Sequence, residues 1–97
     1  MISSIKHKGL RKLYVKGRTK RLPDGIQAAA LRRLDALAAA GRPADLALPG
    51  FDLRHELGKE RRFTLAIDAD HCIRFRWTEE GASKIDLLQA GAGRESA

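Results

Sequence analysis

Residues 61–77, RRFTLAIDADHCIRFRW, constrain the fold more than any other stretch of the chain. Phe63, Leu65 and Ile67 alternate with Thr64 and Ala66. After Asp68-Ala69-Asp70, Ile73, Phe75 and Trp77 alternate with Cys72, Arg74 and Arg76. Successive side chains of a strand point to opposite faces, so alternation on both sides of a short Asp-rich break predicts an antiparallel hairpin. One face, with Phe63, Leu65, Ile67, Ile73, Phe75 and Trp77, needs cover from elsewhere in the chain. The other displays Arg74 and Arg76, with Arg61 and Arg62 at the hairpin mouth. Guanidinium groups on a rigid strand suit the fixed recognition of phosphate. They also populate the wet face of ordinary half-exposed sheets, and alternation alone favours that plainer reading.

Cover for the apolar face comes from residues 22–41. Ile26, Ala30, Leu34 and Leu37, with Leu31 and Ala38, form a stripe at helical spacing, and the alanines raise helix propensity. Asp24 and Gln27 have the spacing of a capping box, and Gly41 before Pro43 marks the stop. Arg32 and Arg33 lie off the stripe, with Asp35 near enough to offset them. Leu10, Leu13 and Tyr14 predict a shorter amphipathic helix over 8–14, with Arg11 and Lys12 outward. A charged loop over 15–21 follows.

Met1–Ile5 reads as an edge strand, and Phe51–His55 as another strand after the Pro49-Gly50 turn. Residues 56–60 read as a turn into the hairpin, residues 78–83 as a turn out of it, and 84–88 as a last strand. The expected fold is α+β: a curved antiparallel sheet of three to four strands with N-terminal helices packed on one face. Its 97 residues make a single domain, with 89–97 a frayed tail.

Charge is unevenly placed. Lys6, Lys8, Arg11, Lys12, Lys16, Arg18, Lys20 and Arg21 supply eight of the 19 basic residues, and residues 1–21 contain no acid. The remainder carries 11 basic against 12 acidic residues, so the net charge of +7 belongs to the N-terminal fifth. Such a cluster attracts phosphate backbones or an acidic partner, and it also occurs as plain solubilising surface. No apolar run approaches the roughly 20 residues of a membrane span. The start lacks the apolar core of a secretory signal. One cysteine permits no internal disulfide, which fits a cytoplasmic protein. The three histidines and Cys72 show no metal-ligand spacing, and no cofactor motif appears.

The stretches IKHKGLRKLYVKG at 5–17, DLALPGFDL at 45–53 and CIRFRW at 72–77 resemble the HigB-type killer toxins of bacterial type II toxin–antitoxin systems, in the RelE/ParE superfamily. The resemblance spans roughly residues 1–88. It implies a small helix-and-sheet toxin of the kind associated with plasmid maintenance, which cuts mRNA in the ribosomal decoding site. Its implied partners are the ribosome, mRNA and a helix-turn-helix antitoxin of the HigA type.

Cutting RNA at a 2′-hydroxyl means removing its proton, stabilising a negatively charged phosphorane and protonating the leaving oxygen. Catalytic candidates are His55 and Lys59, which loosely meet the family's basic loop before the hairpin, and Arg74 and Arg76 for the electrostatic role. RNA-binding candidates are Arg61, Arg62 and the eight basic residues from Lys6 to Arg21. His71, at the hairpin corner, is a further proton-transfer candidate, and His7 a bystander. Two departures stand out. Cys72 occupies a position where the family usually has arginine, and Gln89-Ala90-Gly91 replaces an Asp-Tyr-His ending. Two alternatives therefore stay beside the endonuclease: a homologue that binds antitoxin or RNA without cutting, and a ParE-like gyrase poison.

Overall fold

The computed structural model describes residues 1–56 and 61–89. Two helices, α1 (Lys8–Lys16) and α2 (Asp24–Ala39), precede a 3₁₀ turn at Pro43–Leu46. Four strands follow: β1 (Arg54–His55), β2 (Arg62–Ala66), β3 (His71–Thr78) and β4 (Gly81–Gln89). They form one antiparallel sheet in the order β1-β2-β3-β4. The expected α+β plan holds, with both helices on the sheet's apolar face.

The hairpin follows its alternation. Phe63 pairs with Phe75, Leu65 with Ile73, and Thr64 with Arg74. Asp68 shapes the corner, its Oδ1 accepting the backbone N–H groups of Asp70 and His71, each at 2.8 Å. The register of β3 against β4 shifts between Arg74 and Arg76, so Lys84 and Ile85 together oppose Phe75 in a β-bulge. Lys84 adopts φ 51° there. The bulge lets Ala82, Ile85 and Leu87 all serve the core despite their uneven spacing.

Leu10 and Leu13 of α1, Ala30, Leu34 and Leu37 of α2, and Leu46 pack against Leu65, Ile73, Phe75, Trp77, Ala82 and Ile85. Burying each large apolar side chain stabilises the fold by roughly 1.5–3 kcal/mol. At the chain start, Ile2 and Ile5 make parallel bridges to Ala82 and Ile85. The expected edge strand is thus present in skeletal form, covering the free edge of β4. The Met1 nitrogen donates to the carbonyls of Leu37 (2.8 Å) and Ala40 (2.9 Å), satisfying the end of α2.

Several local expectations are corrected. Helix α1 runs on to Lys16 and ends at Gly17, whose φ of 84° suits a left-handed cap. His7 is its N-cap, with Nδ1 accepting the Leu10 N–H at 3.2 Å, which gives it a structural role. Asp24 makes no capping contact, since Pro23 occupies the N-cap position of α2. That helix stops at Ala39, before Gly41, and Asp45 accepts the N–H groups of Gly41 and Arg42. The strand expected from Phe51 is confined to Arg54–His55, because Asp52 turns the chain at φ 48°. Gly81 already belongs to β4, leaving Glu79-Glu80 as the turn.

Arg33 is the largest correction: it is 5% exposed, inside the protein. Its Nε donates to the Ala66 carbonyl (2.7 Å), Nη1 to Ala29 (3.0 Å) and Nη2 to Gly50 (3.0 Å). Burial, and secondarily the charge of Arg32, lower its pKa, yet a guanidinium keeps its proton.

Candidate nucleic-acid interface

Pairing partners share a face of the sheet, which fixes what the side away from the helices displays. Arg54, Thr64, Arg74 and Asp86 form one row across all four strands. Arg62, Arg76 and Ser83 form the next. Glu56 joins them, its N–H donating to the Arg62 carbonyl at 2.9 Å. Arg62, Arg74 and Arg76 are half-buried, their positions set by two paired strands. This gives arginine the preorganised placement that phosphate recognition calls for.

The face is laced with ion pairs. Glu56 bridges Arg62 (3.8 Å) and Arg74 (3.6 Å), Asp52 holds Arg54 at 2.9 Å, and Asp86 stands 4.0 Å from Lys6. Sequence reasoning missed Glu56 by reading it as turn. Its parity with Arg54 on β1 was the available signal, since residues two apart on a strand share a face. Cys72 is half-buried between Ala66 and Leu88 in register, and Arg61 is exposed at φ 46°.

The histidines are elsewhere. His55 pairs with Phe63 and stacks on its ring at 4.7 Å between centroids; Phe63 stacks on Phe75 at 5.7 Å. Its ring therefore belongs to the helix-facing side, not to the side of Arg74 and Arg76. His71 Nδ1 sits 3.0 Å from Asp68 Oδ1 at the hairpin corner. The Asp70 N–H, then the His71 side chain, hold the Asp68 carboxyl below its ordinary pKa. Lys59 lies outside the described residues.

A second basic region lies between the helices. Lys12 and Lys16 of α1, Arg18, Lys20 and Arg21 of the loop, and Asp24 and Gln27 of α2 line an open cleft of about 920 Å³. Gln27, expected to cap its own helix, instead clamps the loop. Its amide donates to the carbonyls of Thr19 and Leu22 while Oε1 accepts the Thr19 N–H at 3.1 Å. The Arg21 N–H donates to Thr19 Oγ1. Lys12, Lys16, Arg18, Lys20 and Arg21 make no ion pair among the described residues.

Residues 3–88 match the family described as RelE-like toxin of type II toxin–antitoxin system HigB. The chain belongs to this family. No curated protein sequence matches it. As a type II toxin, it has an antitoxin for a partner. Among the described residues of this toxin, no helix is long and apolar enough to cross a membrane, and no group of three or more His, Cys, Asp or Glu side chains is placed to hold a metal ion.

Proposed function

We propose that this toxin is a ribosome-dependent mRNA endonuclease that inhibits translation in the cytoplasm and is neutralised by a HigA-type helix-turn-helix antitoxin. The observation carrying this reading is the cluster of half-buried arginines, Arg62, Arg74 and Arg76, on the open side of the sheet, opposite the helices. Arg74 and Arg76 hold the scissile phosphate and offset the charge of its phosphorane. Arg61, Arg62 and the cations from Lys6 to Arg21 grip the RNA backbone. Lys59 is the candidate for proton transfer, since His55 faces the other side of the sheet from Arg74 and Arg76.

A second reading keeps the toxin fold and its binding but not the cutting. The side of the sheet taken by His55, and Cys72 at the family's arginine position, favour it. One experiment separates the two. Purified protein is incubated with programmed ribosomes and a short mRNA, cut sites are mapped by primer extension, and ribosome-free RNA is the control. The endonuclease reading expects cuts only on the ribosome, lost in Arg74→Ala and Arg76→Ala. Intact mRNA at high enzyme excess sinks it and leaves the binding-only reading.

A further inference from the structure

Glu56 stands between two arginines of the open face. Its Oε1 faces Arg62 Nη1 at 3.8 Å and its Oε2 faces Arg74 Nη1 at 3.6 Å, so each oxygen meets a different guanidinium. The hydrogen bond from its N–H to the Arg62 carbonyl anchors the Glu56 backbone to β2. Only side-chain torsions then separate a paired carboxylate from a displaced one. Both separations exceed the roughly 2.7–2.9 Å of a charge-assisted hydrogen bond, so the contact is an electrostatic bridge rather than a locked fork. The three side chains are 26%, 33% and 37% exposed, within reach of a ligand from solvent.

A phosphodiester offers the same feature as this carboxylate: one negative charge shared over two oxygens. We infer that Arg62 and Arg74 form a phosphodiester site whose resident occupant is Glu56, and that RNA binds there by displacing this carboxylate. The inference rests on the reading of the open face as an RNA-binding surface.

The contrast with the cleft carries it further. Lys12, Lys16, Arg18, Lys20 and Arg21 make no ion pair among the described residues, with Asp24 lining the same cleft, so an RNA backbone binds them without displacing a paired anion. On the sheet it must replace one anion by another, and the affinity is a difference between the two. Free RNA therefore binds the face weakly. RNA already held by a second contact, at the raised effective concentration such a contact provides, displaces Glu56 readily. Glu56 thereby sets the preference of the face for presented over free RNA.

Glu56→Gln keeps the shape of the side chain and removes its charge. The test is fluorescence anisotropy of a labelled short oligoribonucleotide, without ribosomes, at about 0.15 M salt. E56Q is expected to bind about three- to tenfold tighter than the parent. The combined Arg62→Gln and Arg74→Gln change should cost more affinity in the E56Q background than in the parent. Asp35→Asn, which removes a charge from an exposed position of α2, gives the part of any gain due to net charge alone. Binding by E56Q no tighter than by D35N overturns the inference. So does a gain that survives loss of both arginines. Thermal unfolding checks each variant, and Arg74→Gln alone replaces the double change if the latter does not fold. The readout needs no cutting, so failure of the endonuclease reading and failure of this inference are told apart.

Discussion

The guanidinium carbon of Arg33 lies 4.5 Å from the centroid of the Phe51 ring, with both side chains buried. A charge so placed must be solvated by the protein. Three backbone carbonyls do this, from α2 itself, the end of β2 and the Gly50 turn, while the ring adds its negative face. Arg33 thus ties the long helix to the strand that begins the open face and to the turn leading into β1. It works as a structural staple, behind the surface where the other arginines are displayed.

Replacing Arg33 by methionine should cost about 3 kcal/mol, because charge-assisted hydrogen bonds are lost and buried carbonyls go unsatisfied. Urea denaturation measures this as a fall in midpoint at constant slope. Arg33→Lys should recover only part of the loss, since an ammonium lacks the planar reach to three carbonyls.

Gly81 has φ 97°, and a Cβ there would run into the Met1 carbonyl. Gly81→Ala should therefore destabilise by about 1–3 kcal/mol, through backbone strain and loss of the seam between chain start and β4. Hydrogen exchange should register it as faster exchange at Ser3 and Ala82, whose N–H groups donate across that seam.

Stability should fall in acid through two identified carboxyls. The Gly41 N–H, opposed by partial burial and helped by the N–H and charge of Arg42, holds Asp45 below its ordinary pKa. Asp68 is lowered first by the Asp70 N–H and then by His71. A carboxyl that ionises more readily when folded contributes its full stability above the unfolded pKa, about 3.9. That contribution drains away as pH falls from there through the folded value. Asp45→Asn and Asp68→Asn should each flatten the acid limb of a midpoint-versus-pH curve while leaving its shape near neutrality intact.

Binding of single-stranded RNA should weaken steeply with salt, because the cleft cations act by releasing counterions. Each phosphate neutralised contributes about −0.7 to the slope of log affinity against log salt. Changing Lys16, Arg18 and Lys20 together to alanine should make the slope shallower by about 2. An unchanged slope would place the RNA contact elsewhere on the molecule.

What could be read in advance follows from which interactions are local. The hairpin and α2 rest on periodicity, which the residues carry themselves, and the basic cluster rests on charge counting. The side of the sheet taken by His55 was not legible, because a two-residue strand takes its facing from its partner Phe63. The start of β4 was hidden by the bulge, which places Ala82 and Ile85, three residues apart, in one core where a strand's period of two would part them. Arg33 escaped because its partners are main-chain carbonyls, which leave no trace in composition. Gln27 shows a subtler form of the same difficulty. The Asp24–Gln27 spacing is real, and their side chains touch at 3.3 Å, but the amide spends its other contacts on a loop eight residues earlier.

The bridges of Ile2 and Ile5 to Ala82 and Ile85 join segments 80 residues apart in the chain. During translation the opening segment must wait, unpaired, until residues 81–89 have left the exit tunnel. Arg74 likewise cannot gain its register partner Asp86 before then. While residues 81–89 are still inside the ribosome, the arginine face therefore lacks its last strand.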